Sequence, residues 1–203
     1  MARPANGVER RAQIVDGLLL VMAREGYERA SIAQVARAAG LSPGLLHYHF
    51  ASKHQILVAL VHRLVAQVTA RAEALLERAG EQPRRRLCAF LDAHVALGDD
   101  ADGRAVAAWV VVGTEAMRDR QVRALYVRAL EGSLGWLRQL VGDCLTHERR
   151  VRRNTARIAA ALLAAVEGAY RVRTAAPALL PVGFAAPTLR TMVDGLIGAE
   201  ALR

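Results

Sequence analysis

The sequence predicts an all-α protein in which a small helix-turn-helix unit is joined through a long helix to a helical bundle. Three observations predict it. Alanine, leucine, valine and arginine dominate while Thr, Ile, Tyr and Phe are scarce, which favours helices over sheets. Three serine caps, Ser31, Ser42 and Ser52, mark successive helix starts within a short segment. Beyond them the apolar residues recur at helical spacing between Gly- and Pro-containing breaks, with no strand-like alternation.

The first helix is expected over about residues 8–25, where Ile14, Leu18 and Val21 form an apolar stripe and Gly26 supplies a left-handed stop. Ser31-Ile-Ala-Gln34 reads as an S-x-x-Q capping box that opens a short helix, Ile32 to Ala39, ended by Gly40. Ser42-Pro43, an N-cap followed by proline at the first helical position, opens a second short helix to about Phe50. Ser52-Lys-His-Gln55 repeats the box and starts a long helix to about Ala79. Further helices are expected after Pro83 and Arg84–Arg86 to near Gly98, around Ala105–Met117, over about Gln121–His147, over Thr155–Ala175, and after a Pro/Gly loop to about Gly198. An acidic loop, Asp99–Asp102, separates the first two of these, and the basic run Arg149–Arg153 reads as a solvated turn. The division falls inside the long helix, giving a helix-turn-helix domain over residues 1–56 and a ligand-binding and dimerisation domain over 57–203.

The formal charge of +9 in 203 residues suits a polyanionic partner. It is not concentrated at the N-terminus, because residues 1–53 carry seven Lys/Arg against four Asp/Glu, a net of 7 − 4 = +3. Two cysteines, Cys88 and Cys144, are too few for a disulfide framework and have no metal-type spacing. No apolar run approaches the ~18 residues that a membrane span requires, and the first residues contain no signal-like apolar stretch. A cytoplasmic protein with no membrane partner is expected.

The segment Leu41–His54 contains three of the six histidines and, at Lys53, the sole lysine. Two short helices joined by a tight turn are the geometry of a helix-turn-helix. Ala36 and Gly40 are the small residues at its elbow, where larger side chains are expected to block close crossing. Ile32, Val35, Leu41, Leu46 and Phe50 are spaced to form the apolar wedge, which leaves Pro43, Gly44, Leu45, His47, Tyr48 and His49 facing outward. Imidazole and phenol groups can hydrogen-bond to phosphates or base edges, and Leu45 can touch a thymine methyl. Lys53 lies at a helix N-terminus, where a cation is mildly unfavourable unless an anion approaches, so it reads as a phosphate clamp. His47 and His49 point ~200° apart around a helix and cannot share one metal ion. No nucleophile–base order, phosphate-cradling Gly loop or H-E-x-x-H pattern appears, so neither a metal, a cofactor nor catalysis is expected.

Residues 8–60 closely resemble the DNA-binding region of the TetR family of bacterial transcriptional regulators. The resemblance is carried by Ile14, Gly26-Tyr27, Ser31-Ile32, Val35-Ala36, Ala39-Gly40-Leu41-Ser42, Gly44, Leu46, His49-Phe50, Ser52-Lys53 and Leu57. It implies that the second short helix enters the major groove, that Ser31 and Lys53 contact phosphate, and that Ser42–Leu45 with His47–His49 form the reading surface. The chain departs from the pattern at Pro43, where the family often has Lys or Arg, at Leu45, which replaces a frequent small hydroxyl residue, and at His47, which replaces a common Tyr. Ala108–Val141 and Ala161–Tyr170 are similar to the ligand and dimer domain of the subgroup that includes the betaine-synthesis repressor.

The bundle places polar or aromatic groups on otherwise apolar helices: His94, Trp109, Glu115, Tyr126, Trp136, Glu167 and Tyr170. Aromatics with a carboxylate suit a cationic small molecule, whereas Trp109 and Trp136 also suit ordinary core, and Arg171 is placed to pair with Glu167 at i+4. Each of the last two helices leaves an apolar face that a monomer cannot cover. The expected protein is therefore a homodimer, formed through those helices, that binds a double-stranded DNA operator and responds to a small-molecule effector. The expected role is that of a repressor. An activator, or an all-helical binding or scaffold protein with a degenerate helix-turn-helix, are the alternatives.

Overall fold

The computed structural model describes residues 4–96 and 102–202, and these form helices α1 (Pro4–Glu25), α2 (Ile32–Ala38), α3 (Pro43–His49), α4 (Lys53–Ala79), α5 (Pro83–Val95), α6 (Gly103–Glu115), α7 (Arg120–His147), α8 (Thr155–Ala175) and α9 (Ala185–Gly198). Of the expected acidic loop, residues 99–101 lie outside the described residues. Among the described residues no strand forms, beyond an isolated bridge between Arg150 and Leu202. No described helix is long and apolar enough to cross a membrane.

The helices group into two compact units. The chain up to Val65 joins Asp102–Val127 in the first, and the described residues from Ala66 to Ala96 join those from Arg128 onward in the second, so α4 and α7 contribute to both. The division expected after residue 56 assigned Asp102–Val127 to the C-terminal part, whereas here that segment shares a core with the N-terminal helices. The cause is visible in the packing. α6 lies against α1, and Ala108, Val112, Ala116 and Val122 are buried with Ile14, Leu18, Val35, Leu46, Phe50, Leu57 and Leu60. Each of the larger apolar side chains withdrawn from water there contributes roughly 1.5–3 kcal/mol.

Local chemistry explains the short elements. Gly26, at φ 79°, donates to the Met22 carbonyl at 3.0 Å and ends α1. Ser31 caps α2 reciprocally: Gln34 N donates to its hydroxyl at 3.2 Å, and its own amide donates to Gln34 Oε1 at 2.8 Å. Gly40 was expected to permit a close crossing. Instead nothing lies within 4 Å of a Cβ built there, and its role is the left-handed turn at φ 67°. The close approach occurs at Gly17 of α1, where a Cβ would stand 2.6 Å from the Val35 carbonyl oxygen and 3.1 Å from Ala39. At the start of α4, Ser52 accepts from Gln55 N at 3.2 Å, but the Gln55 side chain returns to the Ala51 amide at 3.0 Å and not to Ser52, so the second box is displaced by one residue.

In the second unit α9 packs on α5 and α8. Arg84 of α5 pairs with Asp194 of α9 and forks onto Glu148 just after α7 (Nη2 to Oε2 at 3.0 Å), while Arg190 of α9 pairs with Asp92 of α5. The Arg84 guanidinium holds the Glu148 carboxyl below the usual carboxylate range. The basic run Arg149–Arg153, expected to be a solvated turn, leaves Arg149, Arg152 and Arg153 exposed but draws Arg150 into the structure. Arg150 is half-buried and donates to the carbonyls of Gly198 (2.9 Å) and Glu200 (2.6 Å), and the Arg152 guanidinium lies so close to Gly142 that a Cβ there would meet it at 2.6 Å. Lone carbonyls at the end of α9 thus take guanidinium donors, which a count of charges along the chain does not reveal.

Candidate nucleic-acid interface

Helix α3 is seven residues long and is held from both ends. Ser42 accepts from the Leu45 amide at 3.3 Å, Pro43 occupies the first helical position where no amide donor is needed, and the Phe50 amide closes the last turn on the Leu46 carbonyl at 2.9 Å. Leu46 and Phe50 are 0% and 1% exposed and fix the inner face. Ile32 and Leu41 pack on the same core, as the expected wedge requires. The opposite face is open: Ser42, Pro43, Gly44, Leu45 and His47 are exposed, His49 is half-buried, and Tyr48 is 83% exposed. Tyr48 and His49 meet edge to face with centroids 5.1 Å apart. A tyrosine and a leucine left exposed on a capped helix are the pattern of a surface that meets another molecule.

The other DNA-facing candidates are already engaged. The Ser31 hydroxyl donates to Gln34 Oε1 at 2.8 Å besides accepting the capping bond. Lys53 does not extend into solvent. Its ammonium donates to the carbonyls of Tyr27 (2.9 Å) and Glu28 (3.4 Å) and sits 4.4 Å from the centre of the Tyr27 ring. A further residue, not singled out in the sequence, joins the reading helix. Arg11 of α1 donates to the His49 carbonyl and lies over the Phe50 ring, 3.9 Å from its centroid. The partners are 38 residues apart, so no local pattern signals the contact.

Behind the lysine lies a charged cluster, all within the first unit. Glu115, expected as a ligand residue, is 9% exposed, and burial, aided by the Glu28 charge, raises its carboxyl above the ordinary value against the pull of Arg118 and Lys53. Burial, with Glu115 and Asp119, pushes the Tyr27 phenol up to about 12. Arg118 pairs with Glu28. His54 of α4 presents Nδ1 to Asp119 at 3.2 Å and Nε2 to Gln121 Oε1 at 2.8 Å, while Asp119 also caps α7 by accepting from the amides of Gln121 and Val122. The start of α4 is thereby tied to the turn between α6 and α7.

The remaining ligand candidates fall into two groups. In the first unit, Trp109 and Tyr126 meet at a tilt of 34° with centroids 4.9 Å apart, and a Cβ at Gly113 would stand 3.2 Å from the Tyr126 hydroxyl. In the second, Phe90, missed in the sequence as one apolar residue among many, lies 4.7 Å from the ring of His94 and 6.2 Å from that of Trp136. Trp136 is 38% exposed and so is not ordinary core. His94 Nδ1 donates to the Phe90 carbonyl at 2.9 Å, and burial lowers the basicity of its ring. Tyr170 is buried, and desolvation, with the Glu167 charge, raises its phenol well above the ordinary value.

A short, capped helix with one face in the core and a bare polar-aromatic face outside, following a second short helix across a glycine turn, defines a helix-turn-helix DNA-binding protein. The family models agree with that class. "Bacterial regulatory proteins, tetR family" matches residues 14–60, and "BetI-type transcriptional repressor, C-terminal" matches residues 83–198. The chain belongs to the TetR family of transcriptional regulators, with a BetI-type C-terminal domain. Among its relatives, the HTH-type transcriptional regulator BetI of Agrobacterium fabrum is 31% identical over 204 residues, covering 98% of this chain and 87% of the relative. The protein of the same name from Rhizobium meliloti is 35% identical over 136 residues, 64% of this chain and 66% of that one, just under two thirds of its length. A crystal structure of a transcriptional regulator from Saccharomonospora viridis in complex with choline shares the fold, with TM-score 0.79 at 23% identity over 97% of this chain and 100% of the other. These relatives are regulators of transcription and not enzymes.

Proposed function

We propose that this chain is a homodimeric repressor that reads a near-palindromic operator with α3 and releases it on binding a small organic effector. The observation that carries the proposal is the bare outer face of α3, with Tyr48 and Leu45 exposed over a buried Leu46–Phe50 anchor. Two such helices related by a two-fold axis would enter successive major grooves ~34 Å apart. Ser42–Leu45 and His47–His49 form the reading surface, Lys53 takes a phosphate with its remaining donor, and Ser31 takes one by turning its hydroxyl away from Gln34 Oε1. Pro43 and Leu45 offer no strong hydrogen-bond donors, so phosphate contacts and DNA shape supply a large share of the selectivity.

Dimerisation through α8 and α9 is supported by the small exposed residues Ala156, Ala160, Ala164 and Gly168, which recur every fourth position on α8. Such a row lets a second helix approach closely. Effector binding is supported by the aromatic grouping of Phe90, His94 and Trp136 in the second unit, with Tyr170 and Glu167 on α8. Because the choline-bound relative shares the fold, choline is the first compound to test, followed by other quaternary ammonium and aromatic compounds. The ties between His54, Asp119 and Gln121 give an effector-driven shift of α4 and α7 a direct route to the reading helix. An effector that prefers the released state ~100-fold supplies about 2.7 kcal/mol, enough to free an operator.

The test is fluorescence anisotropy on labelled upstream DNA with each compound added. The proposal expects one compound to weaken operator binding at least tenfold, with the response abolished in Trp136→Ala while DNA binding without the compound is retained. Sedimentation should show a dimer that Ala160→Glu dissociates. A monomeric wild-type protein at micromolar concentration contradicts the reading.

A further inference from the structure

We infer that Arg11 is a positioning residue for the reading helix, which fixes the last turn of α3 from the outside. The inference rests on α3 being the reader, as proposed above. Three facts place Arg11 in this role. Its guanidinium donates to the His49 carbonyl, the final helical residue of α3. The same group lies 3.9 Å from the centre of the Phe50 ring, the residue that anchors α3 in the core. And Arg11 stands one turn before Ile14 and Val15, which are 0% and 5% exposed, so α1 itself gives it a rigid base.

The physical need is specific to so short a helix. A helix of seven residues leaves its C-terminal carbonyls without helical partners, and the last turn frays unless something takes them. That turn carries His47, Tyr48 and His49, three of the seven residues of the reading surface. A planar cation at the C-terminal end complements the helix dipole and takes a carbonyl, and the aromatic face beneath it sets its direction. Lysine cannot reproduce the combination, because its ammonium lacks the planar fork that stacks and donates in register. Arg11 therefore acts on sequence selectivity through the geometry of Tyr48 and His49, and not through a phosphate of its own.

The test compares wild type, Arg11→Met, Arg11→Lys and Tyr48→Ala for binding to upstream DNA and to a scrambled duplex, each over a range of salt, with thermal denaturation verifying that each variant is folded. A positioning role predicts that both Arg11 variants lose roughly fivefold to tenfold in affinity for the specific site. Their affinity for the scrambled duplex, and the slope of log K against log salt, should match wild type. A phosphate contact predicts instead that Arg11→Met weakens both duplexes alike and reduces the slope by about 0.9 per protomer, or about 1.8 for the dimer, while Arg11→Lys retains wild-type binding. That outcome overturns the inference. So does an unchanged preference in both Arg11 variants when Tyr48→Ala has lost it. If Tyr48→Ala also keeps full selectivity, α3 is not the reader and the positioning role falls with it.

Discussion

Lys53 Nζ donates a 2.9 Å hydrogen bond to the Tyr27 carbonyl while lying 4.4 Å from the centre of that residue's ring. An ammonium has three donors, and the carbonyls of Tyr27 and Glu28 occupy two of them. The third remains for a phosphate, so one side chain can brace the turn between α1 and α2 and touch DNA without swinging out. Lys53→Ala is therefore expected to act twice. It should lower stability by about 1 kcal/mol in chemical denaturation, and it should reduce the salt slope of operator binding by about 0.9 per protomer, or about 1.8 for the dimer. A variant that loses stability but keeps the full slope would leave the lysine as a brace alone.

The two glycines of the helix-turn-helix should respond to alanine for different reasons. At Gly17 the new Cβ would meet the Val35 backbone oxygen at 2.6 Å, which forces α1 and α2 apart. That overpacking should cost ~2–3 kcal/mol. At Gly40 there is room, and the cost is that of a left-handed residue, φ 67°, or ~1–2 kcal/mol. Urea denaturation of the two variants should rank Gly17→Ala as the more damaging, and the opposite order would contradict the packing described for α1.

Glu115 gives the first unit a pH signature. Its carboxyl is raised above the ordinary value by burial and by Glu28, so the folded state holds that proton more tightly than the unfolded chain. Stability from this group is therefore intact below the unfolded carboxyl value and declines as pH rises towards the folded one. Glu115→Gln removes the penalty. Its melting temperature should exceed that of wild type by roughly 2 °C at neutral pH, and the difference should vanish in acid below the ordinary glutamate range. A constant difference at all pH values would show that the gain is not electrostatic.

Capping chemistry made α2 and α3 legible from the sequence, because Ser31, Gln34, Ser42 and Pro43 interact within one turn of themselves. Burial followed from helical periodicity at Val35, Leu46 and Phe50 for the same reason. Contacts between distant residues were not legible. Gly17 looked like any helical glycine, and its close approach exists only because α1 and α2 cross there. Arg11 and His49, Arg150 and the end of α9, and His54 and Asp119 are joined by tertiary geometry that no spacing encodes. Glu115 read as a ligand carboxylate because the sequence shows an acid on an apolar helix. The structure surrounds it with Tyr27, Glu28, Lys53 and Arg118, all in the first unit.

The central claim, sequence-specific operator binding by α3, is tested most directly by titrating the wild-type protein against its own upstream DNA and a scrambled duplex of equal length, from low to physiological salt. The account predicts a preference of at least ~10³-fold for the palindromic site at physiological salt, with affinity for both duplexes falling steeply as salt rises. Equal affinity for the two duplexes at every salt concentration would contradict it.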